Sequence, residues 1–465
     1  MRQDEIRVPQ EAACLLLQLQ QAGHSAYVVG GCVRDSLLGC TPKDWDLCTS
    51  ATPAQIKALF AAEHLLLNGE KHGTVTVMRG RTGYEITTYR QESSYTDHRH
   101  PDAVTFVPEL EKDLARRDFT VNAMAYAPGA GLQDPFGGQQ DLRAKCVRCV
   151  GQPADRFAED ALRILRAVRF AAELDFTLDD ATAQAALALR DTVSCVSAER
   201  VFAELDRLLL APAAGRVLAQ YGAILAGAVP EIAPCIGCAQ TGPWHCYDVW
   251  QHTAATVAAL QLQGWNEQGG RVLRWAAFLH DLAKPLCRSV EPNGVVHFRG
   301  HNQRGAQMAR TILRRLRAPG YLSEGVRELV AIHDAPLPTK DQEILQWLNR
   351  YGVQFLQRLC ALKRADLKAH AQNERVAQRA EAVRVFEARM KELAVTGCYT
   401  VAGLRLNGGD VMEAGLLPGP AVGKTLQQLL LRVMEGQLPN EHGALLAALP
   451  QIPAFAAGPK RRAEQ

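Results

Sequence analysis

The sequence predicts an α+β fold, with a small mixed sheet and helices over residues 1–147 followed by an all-helical remainder. Two observations carry this. The first 147 residues mix short apolar runs with Gly, Thr and Pro, and give strand-like stretches at 26–29, 74–78, 84–89 and 104–107. From about residue 150, Ala, Leu and Arg recur at intervals of three and four, the spacing of a helix with one buried face. At 465 residues the chain exceeds one ordinary core, so several domains are expected.

Four stretches differ in texture: 1–147 (α/β), 148–215 (helical), 216–375 (helical, with clustered histidines) and a small unit at 376–455. A charged segment, 373–393, reads as a long exposed helix leading into the last of these, and 458–462 as a frayed basic tail. With 47% hydrophobic and 22% charged residues the composition is that of a globular protein, not a disordered or fibrous one. Apolar runs such as 14–19 are far shorter than a membrane span, and the start carries Asp4 and Glu5 where a secretory signal would be apolar. The expectation is a cytoplasmic protein with no membrane association and no protein partner.

The 13 cysteines are scattered and odd in number, so they read as reduced thiols. Two C-x-x-C pairs occur, Cys146/Cys149 and Cys235/Cys238, the second followed by His245 and Cys246. A zinc knuckle there would need an unusually short ligand spacing, and buried, unmetallated thiols are the reading adopted. A net charge of +3 does not announce a nucleic-acid binder, so a local basic surface would have to serve.

The first chemical signal is an apolar strand running into Gly30 and Gly31 and then a helix bearing Arg34. Paired glycines allow backbone N–H groups to approach a phosphate, and a helix start favours negative charge. Asp44-Trp45-Asp46-Leu47 follows, expected as a strand. Alternation then points Asp44 and Asp46 the same way, and two such carboxylates repel unless a cation lies between them. Mg²⁺ is commonly held by one or two carboxylates plus substrate phosphates. A solvated edge strand or a turn at Pro42-Lys43-Asp44 is the plain alternative.

The run 29–39 (VGGCVRDSLLG) followed by Lys43-Asp44-Trp45-Asp46 resembles the signature of class II tRNA nucleotidyltransferases and bacterial poly(A) polymerases. These belong to the polymerase-β nucleotidyltransferase superfamily. The resemblance implies a polymerase-β-type head, then a helical neck, body and tail. Residues 84–90 (YEITTYR) resemble the strand bordering the site, with Glu85, Thr87 and Tyr89 on one face and Glu85 as a possible third carboxylate. Residues 95–107 resemble the flexible loop that sets nucleotide selection, with Asp97 and Arg99 as polar levers. Residues 116–123 (RRDFTVNA) match the family nearly throughout. There Arg116 and Arg117 can clamp triphosphate oxygens, Asp118 can accept from ribose hydroxyls, and Asn122 offers a donor and an acceptor. An ordinary helix start also favours Asp before an apolar run. Residues 134–138 (DPFGG) resemble the hinge to the neck.

Residues 159–170 are helical by periodicity, with Asp160 and Arg163 three apart on one face. Taken alone they read as an intrahelical ion pair. Cytosine and adenine, however, both present an amino donor beside a ring-nitrogen acceptor, which a carboxylate and a guanidinium match. Uracil and guanine present the reverse pattern. The E-D-x-x-R of Glu159, Asp160 and Arg163 resembles the family's amino-acid template, with Glu159 bracing Arg163. Residues 197–200 resemble the motif that props the templating helix. Arg166, Arg169 and Arg200 are candidates to face tRNA phosphates, with ordinary solvated arginines as the plain alternative.

His252, His280-Asp281 with Lys284 three residues on, and Asp366 together resemble the HD metal-dependent phosphohydrolase domain. His252, His280, Asp281 and Asp366 are the expected ligands of a divalent transition metal, and His301 and His333 are extra ligands or phosphate contacts. Any one of these histidines alone is more often structural. Residues 406–410 (LNGGD) and 415–423 (GLLPGPAVG) resemble the tail of HD-bearing bacterial relatives, which reaches the tRNA elbow. The reading is C, C and A addition to the tRNA 3′ end from CTP and ATP, with Mg²⁺ in the head and a secondary phosphohydrolase activity in the body. Poly(A) polymerase and CC-only or A-only addition are the alternatives. From another class comes an HD phosphohydrolase with an inactive, RNA-binding head.

Overall fold

A computed structural model of the chain describes residues 6–92, 104–242, 246–292 and 294–460. Helix α1 (Gln10–Gln21) turns Ala12, Leu15, Leu16 and Leu19 inward at helical spacing and packs on strand β1 (Ala26–Val29). Helix α2 (Gly31–Leu37) and strand β2 (Leu47–Thr49) come next, then α3 (Pro53–Leu59), whose start Thr52 and Gln55 cap reciprocally. Strands β3 (His64–Leu66), β4 (Thr74–Arg79) and β5 (Thr82–Thr88) follow. Strands β6 (Arg90–Glu92) and β7 (Val104–Phe106) pair as a separate ribbon.

After helix α4 (Leu110–Ala115), strands β8 (Ala125–Ala127) and β9 (Gly131–Gln133) complete a seven-stranded sheet of order β3-β4-β5-β2-β1-β8-β9. Only β2 and β5 are parallel, so the sheet is mixed as the sequence suggests. Val29, Cys48, Tyr89, Leu114, Ala123, Ala125 and Val150 form a buried cluster in this region.

The carboxylate pair departs from its expected place. Strand β2 begins at Leu47, and Asp44 and Asp46 precede it. The ladder reaches back only as far as the Asp46 carbonyl, which accepts from Val29 N–H at 2.9 Å. Both carboxylates therefore sit at the rim of the sheet.

Helix α5 (Gly138–Ala144) and strand β10 (Cys146–Val147) lead to α6 (Pro153–Glu159) and α7 (Leu162–Leu174). The expected single helix over 159–170 is broken. Asp160 is extended (φ −139°, ψ 104°), and its Oδ1 accepts from Leu162 N–H at 3.0 Å, capping the new helix. Strand β11 (Thr177–Leu178), which pairs with β10, and helices α8 (Asp180–Ala188), α9 (Ala198–Leu210) and α10 (Ala214–Leu225) follow, with α7 packed on α9 and α10.

The chain divides into two compact units, Met1–Ile236 with Ile312–Ala318, and Gly237–Thr311 with Pro319–Gln465. The second contains α11 (Val249–Ala259), α12 (Glu267–Leu279) and a short hairpin of β12 (Ser289–Val290) and β13 (Val296–His297). Helices α13 (His301–Arg315), α14 (Gly320–Ile332), α15 (Asp341–Tyr351), α16 (Val353–Lys368) and α17 (Glu374–Thr396) come after it. Helix α17 is not exposed all round as expected, because Val376, Val383, Phe386, Met390 and Leu393 bury one face. A terminal cluster of α18 (Gly408–Glu413), α19 (Pro420–Met434), α20 (His442–Ala448) and α21 (Pro453–Ala456) has its own core around Leu416, Leu429, Leu445 and Ile452. No helix among the described residues is long and apolar enough to cross a membrane.

Candidate nucleotidyl-transfer and metal sites

Gly30 has φ +84°, a backbone conformation that favours glycine, and Arg117 Nη1 approaches to 2.9 Å of where a Cβ would stand. Arg117 and Arg116 are gathered by Asp113, a fully buried carboxylate on α4, at 3.5 Å and 2.8 Å. The β2–β5 register, with Leu47 opposite Ile86, brings Glu85 alongside Asp46. Asp46 keeps solvent access, but the surrounding cleft, then Asp44 and Glu85, push its carboxyl up to about 6 against the pull of Arg117. Crowded carboxylates of this kind are stabilised by a bound cation, and hard oxygen donors suit a small divalent one. The groups whose donor atoms already converge among the described residues all lie elsewhere, in the histidine cluster. Asp44 and Asp46 stand apart from that cluster, exposed to solvent.

Behind the carboxylates runs a polar chain. Arg34 Nη1 donates to Asn122 Oδ1 at 2.6 Å, and Asn122 Nδ2 donates to Asp118 Oδ1 at 3.1 Å. Arg166 donates to Asp118 Oδ2 through Nε and Nη2 at 2.8 and 2.6 Å. Burial alone would raise the Asp118 carboxyl, but Arg166 and Asn122 bring it down to about 2. Arg34, Arg166 and Arg169 all stack within 5.4 Å of the Phe170 ring centre.

At the α6–α7 break, Arg163 Nη1 meets Glu159 Oε2 at 2.5 Å, and its Nη2 donates to the Arg116 carbonyl at 2.9 Å. Arg200, on α9, donates to Asp160 Oδ2 at 2.8 Å. The structure thus brings Glu159, Asp160, Arg163 and Arg116 together. Each Asp160 oxygen accepts one described hydrogen bond, and the Arg163 Nε–H is drawn on by none of those described, so both keep capacity. Arg169 does not face outward. It is 1% exposed and paired with Glu204 and Glu173. Asp97, Arg99 and His245 lie outside the described residues.

In the second unit, His252 (α11), His280 and Asp281 (end of α12) and Asp366 (α16) converge. His252 Nε2 is 2.8 Å from Asp366 Oδ1 and 3.5 Å from Asp281 Oδ2, and His280 Nε2 is 3.2 Å from the latter. Lys284 Nζ pairs with Asp281 Oδ2 at 2.6 Å. Burial would raise both carboxyls, but His280 and Lys284 hold Asp281, and hydrogen bonds with His252 and His280 hold Asp366, well below the usual range. His280 Nε2 and Asp281 Oδ1 are buried without a hydrogen-bond partner among the described residues. Imidazole nitrogens and carboxylate oxygens around unsatisfied polar atoms fit a divalent transition metal. No cysteine belongs to a converging group among the described residues.

The family model described as "Poly A polymerase head domain" matches residues 26–148, and that of tRNA nucleotidyltransferase domain 2 matches 302–449. A "CCA-adding enzyme" of Limosilactobacillus reuteri (strain DSM 20016) is 33% identical over 446 residues, covering 94% of this chain and 95% of the relative. The chain belongs to the class II tRNA nucleotidyltransferases. A "CCA-adding enzyme" of Geobacillus thermodenitrificans (strain NG80-2) is 34% identical over 453 residues, covering 95% of this chain and 96% of its own length. The crystal structure of the Bacillus stearothermophilus CCA-adding enzyme in complex with CTP is similar at 31% identity and TM-score 0.65, covering 95% of this chain and 96% of that one.

For a class II tRNA nucleotidyltransferase, sequence reasoning passed over three residues. Asp113 orients both arginines, and its i+3 and i+4 spacing to Arg116 and Arg117 is a readable signal. Glu204, buried on α9, holds Arg169 and lies 3.9 Å from Arg166. His370 packs its ring against His252 at 4.8 Å. Nothing in the local pattern marks these last two, because their partners lie 35 to 118 residues away.

Proposed function

We propose that this tRNA nucleotidyltransferase adds C, C and A to the 3′ end of tRNA, drawing on CTP and ATP, within the cytoplasm. The observation carrying this is the braced pair at the α6–α7 break, with Arg163 fixed by Glu159 and the Arg116 carbonyl, and Asp160 fixed by Arg200. A pair held in one orientation accepts cytosine and adenine edges and opposes uracil and guanine. Residues 1–147 serve as head, 148–215 as neck, 216–375 as body and 376–455 as a tail toward the tRNA elbow.

Asp44 and Asp46, with Glu85 beside them, would hold Mg²⁺, which supplies charge stabilisation to in-line attack of the tRNA 3′-hydroxyl on the α-phosphorus. Arg116 and Arg117 receive triphosphate oxygens beside the Gly30-Gly31 turn. Asp118, whose oxygens already take Arg166, Asn122 and Phe119 N–H, acts by positioning Asn122 and Arg166. The loop bearing Asp97 and Arg99 contributes to nucleotide switching.

The test uses tRNA transcripts ending before C, after C, after CC and after CCA, each with single triphosphates. Growth that stops at CCA supports the proposal. Repeated A addition points to poly(A) synthesis, and a stop after CC, or A addition alone, to a partial enzyme. Asp160→Ala should abolish discrimination among the four triphosphates, and full C/A selectivity in that variant would sink the template reading.

The histidine cluster favours a second activity, metal-dependent phosphoester hydrolysis at His252, His280, Asp281 and Asp366, with 2′,3′-cyclic phosphates as candidate substrates. Hydrolysis stimulated by added Mn²⁺ or Ni²⁺ and lost in Asp281→Ala would support it, and hydrolysis undiminished in that variant would remove it.

A further inference from the structure

We propose that Arg156 is a positioning residue for nucleotide selection: it occupies one oxygen of Glu159 and so keeps the Arg163 Nε–H free for the base. This rests on reading Asp160 and Arg163 as the nucleotide template, and it adds a residue that lies outside the E-D-x-x-R run.

Arg156 stands on α6 three residues before Glu159, a spacing that puts both on one helical face. Its Nη2 lies 2.5 Å from Glu159 Oε1, and its Nη1 donates to the Ala115 carbonyl at 3.1 Å. Glu159 Oε2 is taken by Arg163 Nη1 at 2.5 Å, and the same Nη1 reaches the Arg156 carbonyl at 3.3 Å. Arg163 Nη2 donates to the Arg116 carbonyl at 2.9 Å. One carboxylate is thus divided between two guanidiniums, an oxygen to each, and each guanidinium also holds one of two consecutive carbonyls.

Those carbonyls close α4, where the last turn of a helix leaves C=O groups without a helical partner. Arginines suit them, because they donate hydrogen bonds and oppose the negative end of the helix. The same stretch carries Asp113 and the Arg116 and Arg117 side chains that Asp113 gathers. The template residues and the triphosphate arginines are therefore tied to one short length of backbone, residues 113–117.

The division of Glu159 decides which donor is left for a base. An arginine and a carboxylate with both oxygens open favour two parallel hydrogen bonds. Arg384 makes such a fork on Glu381, with Nε and Nη2 each on its own oxygen at 2.8 and 2.5 Å. Arg163 does not, because Arg156 holds Oε1. It meets Glu159 by Nη1 alone, and no hydrogen bond among the described residues uses its Nε–H. That Nε–H is the donor offered to the ring nitrogen of cytosine or adenine. Without Arg156, Arg163 would close the fork on Glu159 and spend the donor there. The placement carries a cost, since the Nε–H of Arg156 is itself buried without a partner among the described residues.

The test measures kcat/KM for each of the four triphosphates with the full chain, on a tRNA transcript ending before C and on one ending after CC. In Arg156→Met the CTP-to-UTP and ATP-to-GTP ratios should each fall by about tenfold, the scale of one hydrogen bond to a charged group. Arg156→Lys, which keeps a cation on Glu159, should hold both ratios near those of the parent. A residue that only stabilises the fold would lower all four rates together and leave the ratios unchanged, and that outcome overturns the proposal. Equal loss of the ratios in Arg156→Lys overturns it as well. Should Arg156→Met fail to fold, Arg156→Gln carries the same expectation, since its amide can still donate to the Ala115 carbonyl. Asp160→Ala is measured beside them. Ratios kept in that variant remove the template reading itself, whereas ratios lost there and kept in Arg156→Met remove the role of Arg156 alone.

Discussion

Asp46 and Asp118, both in the first compact unit, are tuned in opposite directions. Asp46, pushed up to about 6 by its cleft and by Asp44 and Glu85, has a folded-state value above its unfolded one. Its contribution to stability is therefore present at low pH and lost as pH rises through about 6, unless a cation is bound. At pH 7.5 Asp46→Asn should raise the Tm of chelator-treated protein, and with Mg²⁺ restored it should reduce nucleotide addition by ~10³-fold or more. A Tm unchanged or lowered, measured by scanning calorimetry, would contradict the electrostatic account. Asp118, brought down to about 2, contributes stability that is present above about pH 4 and lost as pH falls toward 2. The loss should be on the order of 2 kcal/mol. It should be missing from acid titrations of Asp118→Asn, which starts from the lower stability. The residue types at both positions could be read from the chain. The direction in which each is tuned could not, because Glu85, Arg117 and Arg166 arrive from distant segments.

Among the elements, the break between α6 and α7 matters most. Periodicity runs unbroken through 159–170, since Leu162, Leu165 and Phe170 keep helical spacing, and so it predicts one helix. The structure interrupts it because Asp160 caps α7 with its own carboxylate while Arg200 holds the other oxygen. Releasing that oxygen by Arg200→Ala should relax C/A selectivity by about tenfold, the scale of one hydrogen bond of roughly 1–1.5 kcal/mol to a charged group. Single-nucleotide incorporation with each triphosphate reads this out. Arg169, on the far side of α7, shows how far an arginine's exposure escapes sequence reading. It looked like a phosphate contact and is instead buried between Glu204 and Glu173. Arg169→Met should cost about 3–5 kcal/mol in urea unfolding, since Glu204 would keep a buried, unpaired charge. Strands β1 and β4 are legible because short runs of apolar and β-branched residues lie between glycines there. The start of β2 was missed because a carboxylate pair and a ladder edge look alike in sequence.

At the scale of the whole molecule, the two compact units hold separate candidate sites, one around Asp44 and Asp46 and the other around Asp281. A ligand stabilises the unit that binds it. Scanning calorimetry should resolve two transitions, with Mn²⁺ at low concentration raising one and CTP with Mg²⁺ raising the other. A single transition moved equally by both would show that the units unfold as one. The sequence by itself determined the α+β opening, the helical remainder, and the inventory of reactive side chains: Gly30-Gly31, Asp44 and Asp46, the run 116–123, Glu159 with Asp160 and Arg163, and six of the clustered histidines and aspartates. These are local patterns, carried by residue type and short spacing. Only the tertiary structure decided which of those groups meet. It placed Asp113 under two arginines, stood Glu204 against Arg169, and set Arg156 and Arg163 on the carbonyls of Ala115 and Arg116. Such pairings depend on helices and strands brought together across tens to more than a hundred residues, and no local spacing encodes that distance.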